Sequence, residues 1–185
     1  LLDYANIDYL ELDPETRAKI DAVRVANGAE PVTAVEDLRG REYCGLRPLL
    51  HVIDAKGHRT REVQAYAKKH RNVIMYNGGA FRGAESWKRS QNITRGVNVS
   101  AKHFQTILIY YLYTQKNREQ NYLYLTPDLP DEVITEIVAV QPDAKSRNGH
   151  IPENWAPAGD AVHDAFDVLK MGYFAFDYLL ATAPR

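Results

Sequence analysis

An apolar run, a carboxylate, a glycine turn and a basic helix start follow one another in His51-Val52-Ile53-Asp54-Ala55-Lys56-Gly57-His58-Arg59-Thr60. A strand-end metal or phosphate site is built from such a series. Leu49 to Ile53 reads as a buried strand, Gly57 frees the backbone, and Thr60 is placed to cap a helix that Arg61 to Lys69 continue. Asp54 then falls at the carboxyl edge of a sheet, where open α/β folds bind their ligands. A lone Asp in this position more often only caps the turn, so the weight comes from a second segment. In Gly159-Asp160-Ala161-Val162-His163-Asp164-Ala165-Phe166-Asp167, three carboxylates recur at i, i+4 and i+7 and share one face of a helix. Like charges stacked in this way repel unless a cation or a basic partner lies between them. Attraction to the helix N-terminus accounts for Asp160 and partly for Asp164, whereas Asp167, about two turns in, lies past its reach.

These side chains need a mixed α/β frame to hold them. Leu1 to Ile7 reads as a strand and Pro14 to Ala26 as a helix, with Asp13 as its cap and Pro14 at the first position. Ala29 to Gly45, rich in charges and turn residues, reads as a loop. Strand Leu49 to Ile53, helix Thr60 to His70 and strand Val73 to Tyr76 form a βαβ-like unit, followed by a basic loop over Gly78 to Asn98. Phe104 to Tyr113 and Asn121 to Leu125 read as strands joined through Thr114 to Gln120, and Pro130 to Val140 as a short helix. After a loop from Gln141 to Ala158, a last helix from about Asp160 to Ala181 is mildly interrupted at Gly172. Its expected buried stripe is Val162, Phe166, Leu169, Tyr173, Phe176 and Leu180.

Composition narrows the class. The chain has 185 residues, enough for a sizeable core, and its 45% hydrophobic and 25% charged content is that of an ordinary globular domain. Phe104 to Tyr113, the most apolar run, is far too short for a membrane span, and the first residues lack the pattern of a secretory leader. A lone Cys44 excludes a disulfide framework and a cysteine zinc site, and fits a reducing cytoplasm. The net charge of -1 hides an asymmetry, because between Lys56 and Arg118 the only acids are Glu62 and Glu85. Arg82, Lys88, Arg89 and Arg95, interleaved with Phe81 and Trp87, suit contact with a phosphate backbone without base reading. No P-loop and no dinucleotide fingerprint occurs, which argues against nucleotide hydrolysis within this chain.

The pairing of an IDxGGHRTxEV-like strand, turn and helix with a distal NEALD-like helix resembles the nuclease domain of lambda-type phage large terminase subunits, the DNA-packaging motors of tailed phages. The match runs through Ile53 to Val63, then Val73 to Gly78, Tyr122 to Pro127, Trp155, and His163 to Asp167. Lys56 replaces a glycine usual in that family, and Asn77 stands where a lysine is frequent. The family's first acid, in a GxDxQ context on an opening strand, has no counterpart here; Leu1 to Ile7 resembles a later strand, so the chain is expected to begin after that acid.

The resemblance implies a single ribonuclease H-like domain over 1–185, a mixed sheet flanked by helices with a long C-terminal helix. It implies a metal-dependent endonuclease that cuts concatemeric phage DNA by two-metal phosphodiester hydrolysis. Two Mg²⁺ or Mn²⁺ ions, whose preferred ligands are hard oxygens, would serve that chemistry. Asp54 and Asp164 are the expected metal ligands, with Asp167 a ligand or a close supporter. Lys56, His58, Arg59, Arg82, Lys88, Arg89 and Arg95 are the expected DNA contacts, and His58 and His163 can orient water or phosphate, although each is individually more often a turn histidine. Double-stranded DNA, an N-terminal ATPase domain, a small terminase subunit and a portal are the implied partners, in the host cytoplasm and away from membranes. Two competing readings stand beside this one: a non-cleaving DNA-binding or motor-docking module of the same fold, and an unrelated small-molecule enzyme using Asp54 at a phosphate turn.

Overall fold

The structure, a computed structural model, describes residues 7, 9–43, 45–56, 59–79, 85–114, 125, 127–142 and 155–183. The expected strand over Leu1 to Ile7, the strand Asn121 to Leu125 and its hairpin lie, but for single residues, outside that range. The chain divides into two compact units, 2–100 and 101–185.

In the first unit α1 (Pro14–Ala26) starts as its sequence dictates: Asp13 Oδ1 accepts the Thr16 N–H at 3.0 Å and proline occupies the first turn. None of its residues is buried. Polar ties hold it instead, since Arg17 pairs with Asp37 and the Val32 N–H donates to Asp21 at 2.7 Å. Asp37 belongs to α2 (Val35–Gly40), a short helix in the segment expected to be a loop. Its sequence is too short and polar to announce a helix. What fixes it is tertiary: Tyr9 bridges Ala34, the Tyr9 and Leu10 carbonyls accept the Val35 and Glu36 N–H groups, and Asp37 accepts the Ala34 N–H.

Then come β1 (His51–Asp54), α3 (Thr60–Lys69), β2 (Val73–Gly79), β3 (Trp87–Arg89) and β4 (Gly96–Ser100). The sheet order is β1-β2-β4-β3, with β1, β2 and β4 parallel and β3 antiparallel to β4. The βαβ unit is therefore present, while the expected basic loop contains two strands. Alternation in Gly96-Val97-Asn98-Val99-Ser100 is a strand signal, masked in sequence by the charges and turn residues before it. On one face Val73 and Met75 pack with Val63, Tyr66 and Ala67 of α3, and on the other Ile74, Tyr76, Val97 and Val99 are buried. Gly78 follows Tyr76 on that second face, and a Cβ at Gly78 would stand 2.5 Å from Tyr76 Cε1. Gly78→Ala is accordingly expected to cost about 1–3 kcal/mol by overpacking, read as a lower urea midpoint; an unchanged midpoint would mean the ring turns aside freely.

A polar knot joins α2 to α3. Glu36 accepts from Arg39 and from Tyr66 Oη at 2.8 Å, and His70 Nε2 lies 3.8 Å away. The Arg39 guanidinium, then the Tyr66 hydroxyl, hold the Glu36 carboxyl at about 2, while burial and the same carboxylate push the Tyr66 phenol up. A carboxylate whose value falls from 4.5 to about 2 on folding adds stability that is complete above the upper value and lost as pH drops through the lower. Thermal melts across pH 2 to 4.5 should therefore fall steeply in the native chain and less steeply in Glu36→Gln. An identical acid limb in both would assign it to other carboxylates.

In the second unit α4 (Ala101–Ile109) runs into a π-helical turn at Tyr110–Thr114, where a strand was expected. Short apolar runs do not distinguish a buried strand from a helix. Burial decides here: Phe104, Leu108 and Ile109 are covered at helical spacing, while Tyr110 and Tyr113 are exposed. α5 (Asp131–Val138), β5 (Val140–Pro142) and β6 (Trp155–Pro157) follow, the two short strands pairing at the ends of the expected Gln141 to Ala158 loop. Tyr113 Oη donates between the Val138 and Val140 carbonyls, and Gln105 Nε2 donates to the Trp155 carbonyl at 3.0 Å.

The last helix, α6 (Asp164–Thr182), is uninterrupted at Gly172 and begins at Asp164 rather than Asp160. Phe166 and Leu169 enter a core with Leu108, Ile109, Val133 and Ile137, and a buried side chain of this size contributes about 1.5–3 kcal/mol. The rest of the expected stripe is only partly right. Phe174 is buried edge-on to Phe104 and Tyr173 stacks on Tyr111, whereas Val162, Phe176 and Leu180 are exposed. A mixed sheet flanked by helices and a long C-terminal helix make this a mixed α/β architecture, consistent with a ribonuclease H-like fold.

Candidate active site

Because β1, β2 and β4 run parallel, their last residues Asp54, Gly79 and Ser100 belong to the carboxyl edge of one sheet. Asp54 is exposed there. Its Oδ1 accepts the Lys56 N–H at 3.0 Å, the turn-capping contact that its position predicts, and among the described residues Oδ2 accepts nothing. Thr60 does not cap α3. It is the first helical residue, and its hydroxyl donates to the Ala55 carbonyl at 2.7 Å, closing the turn that carries Lys56. Lys56 Nζ reaches across to β2, 2.8 Å from where a Cβ on Gly79 would stand. Arg59, the residue before α3, lies 5.9 Å over the Tyr9 ring, a cation–π distance that keeps the guanidinium at this end of the helix.

The other basic residues divide. Register places Lys88 opposite Asn98, and Asn98 opposite Asn77, so these three side chains leave the same face of the sheet. Arg89, opposite Val97, leaves the other face. Arg95 sits at the far, amino edge of β4, with φ 60 and its guanidinium donating to the Arg71 carbonyl. His58 and Arg82 lie outside the described residues. The Asn77 Nδ2 to Asn98 Oδ1 hydrogen bond of 2.8 Å joins two residues not expected to act. Their signal in sequence was a carboxamide inside each of two otherwise apolar strands.

In the second unit Asp164 opens α6 and Asp167 lies in its first turn. Asp160 precedes the helix, so the three acids do not share one helical face as expected. With the helix starting four residues later, attraction to its N-terminus now reaches Asp167 as well. Asp167 is also partnered: Lys170 donates to its Oδ1 and His163 Nε2 is 3.9 Å from its Oδ2. His163 Nδ1 lies 3.2 Å from the Ala161 carbonyl. Glu136 of α5 accepts the Ala165 N–H at 3.0 Å, supplying the anion that a helix start favours. Asp164 is exposed.

Among the described residues, no three or more His, Cys, Asp or Glu side chains gather into a group able to hold a metal ion. The donors at hand do fit Mg²⁺ or Mn²⁺ in type, being carboxylate oxygens, with Asp54 Oδ2 uncommitted among the described residues. No helix among the described residues is long and apolar enough to cross a membrane.

Comparison with curated proteins and with solved structures finds no significant match. Comparison with family models does: the endonuclease domain of the terminase large subunit gpA matches residues 33–183, from the bridge before α2 to the end of α6. The match takes in the β1 turn, both strands that carry the paired asparagines, and the acidic start of α6. This chain belongs to the terminase large subunit gpA endonuclease domain family.

Proposed function

We propose that this chain hydrolyses phosphodiester bonds of double-stranded DNA as the metal-dependent nuclease of a viral genome-packaging terminase, cutting concatemeric phage DNA. The observation that carries the reading is Asp54, an exposed carboxylate with one oxygen uncommitted among the described residues, at the carboxyl edge of the parallel strands of a mixed sheet in a chain of a terminase endonuclease family. Asp54 and Asp164 are the proposed ligands of the divalent ions, Mg²⁺ or Mn²⁺, with Asp167 as a further ligand or as the group that fixes Lys170. A bound ion of this kind lowers the pKa of water and stabilises the leaving oxygen of the broken P–O bond. The chain's own part is to keep both carboxylates exposed and to seat the phosphate backbone against Lys56, His58, Arg59, Arg82, Lys88, Arg89 and Arg95. An ATPase domain, a small terminase subunit and a portal are its proposed partners in the host cytoplasm.

Nicking of supercoiled plasmid with Mg²⁺, with Mn²⁺ and with EDTA tests the reading. Weak, ion-dependent nicking, stronger with Mn²⁺, is expected. The contacts of Asp167 with Lys170 and His163 favour a second reading, a non-cleaving DNA-binding or motor-docking module. A folded chain that binds duplex and leaves plasmid intact with either metal would establish that alternative.

A further inference from the structure

The face of the sheet that α3 covers changes character along its length. Ile53, Val73 and Met75 pack with the helix. Two residues further on the same face carries Asn77, then Gly79, with Asn98 and Lys88 beside them, and these positions are half-buried or exposed. Asparagine is poorly suited to a strand interior, and a carboxamide removed from water needs partners. Asn77 and Asn98 supply one bond to each other, which fixes both carboxamides and leaves Asn98 Nδ2 without an acceptor among the described residues. Lys56 Nζ, lying over Gly79 with no ion pair among the described residues, adds a charge to the same face. Lys88 stands in cross-strand register with Asn98. An amide donor on the same sheet face as the Lys56 ammonium suits an anionic ligand rich in acceptors.

We infer that Lys56 over Gly79, the Asn77–Asn98 pair and Lys88 form a binding site for one phosphate group of the DNA backbone. The inference rests on the nuclease reading for its ligand, and it assigns roles that the reading does not contain. Asn98 is a donor to a phosphate oxygen, Asn77 is the residue that orients it, and Gly79 is the gap that admits the Lys56 ammonium. A methyl group at 79 would meet only the tip of a flexible side chain, so it moves the charge without disturbing the strand.

Binding of a fluorescent duplex by the full chain in EDTA, measured across salt concentrations, tests the site. Lys56→Ala should weaken binding and reduce the slope of log affinity against log salt by about 0.9. Gly79→Ala should weaken binding with Lys56 present and add nothing to Lys56→Ala, because both remove the same interaction. Asn98→Asp keeps an acceptor for Asn77 and places a negative charge against the phosphate, for a loss of about tenfold or more. Lys56→Arg should restore most of the affinity, and thermal melts identify any variant that fails to fold. Lys56 is exposed, so its variant remains informative should Asn98→Asp unfold. Lys56→Ala binding like the native chain with the same slope would overturn the site, as would additive losses for the Gly79 and Lys56 changes. If the native chain nicks plasmid while these variants bind unchanged, the site fails and the nuclease reading stands. If the native chain binds no duplex at low salt, both fail.

Discussion

Replacing Asp54 or Asp164 by alanine is expected to remove divalent-ion-dependent plasmid nicking, while Asp160→Ala should leave it close to the native level. The expectation follows from what each carboxylate does in the fold. Asp54 spends one oxygen on the Lys56 N–H and presents the other; Asp164 is exposed at the start of α6; Asp160 lies in the turn before the helix. Residues that merely orient metal ligands are worth roughly 10–100-fold in affinity or activity, so loss of a ligand itself should exceed about a hundredfold. Asp54→Asn separates the two roles, because an amide oxygen can still accept the Lys56 N–H but carries no charge. Intact turn stability with lost nicking would assign Asp54 to the ion, and retained nicking in Asp54→Asn would end its role as a ligand. Asp167→Asn is the informative fifth variant: as a ligand its loss should match that of Asp164, whereas as the partner of Lys170 it should cost stability and little rate.

Neutralising Arg82, Lys88, Arg89 and Arg95 together should flatten the salt dependence of duplex binding, by about 0.9 in slope for each phosphate that is no longer neutralised. The native chain is expected to bind duplex weakly and without sequence preference, since its basic middle segment offers charge and no base-reading helix motif. The fold divides the effect unequally. Lys88 shares a face with the paired asparagines, Arg89 leaves the opposite face, and Arg95 spends its guanidinium on the Arg71 carbonyl at the far edge of the sheet. Lys88→Ala should therefore lower the slope by itself, and Arg95→Ala should lower it least while weakening the link between the starts of β2 and β4. Titrations of each single variant against the same labelled duplex decide this. An unchanged slope in the fourfold variant would reassign all four residues to solubility.

Local chemistry was readable wherever a short stretch carried its whole instruction. Asp13-Pro14 announced the start of α1, and the apolar run into Asp54 announced a parallel strand, a turn and a helix, because caps, proline and hydrophobic blocks act through neighbours in the chain. The family was legible for the same reason, its motifs being short segments whose order survives without coordinates.

What the sequence could not decide depended on partners far along the chain. Phe104 to Tyr113 is helical because Phe104, Leu108 and Ile109 find a core with α5 and α6, against the pull of its β-favouring residues. The start of α6 moved from Asp160 to Asp164, which turned Asp167 from a residue beyond the helix dipole into one within its first turn, held by Lys170. Register, which one residue of slip reverses, sorted the basic residues onto two faces and two edges and paired Asn77 with Asn98. By itself the sequence determined the family and singled out the groups proposed to do chemistry, namely Asp54, Asp164 and the basic middle of the chain. Only the tertiary structure decided which of those groups are already spent on neighbours and which remain open to a ligand, because a free oxygen or an unpaired ammonium is a property of the space around it.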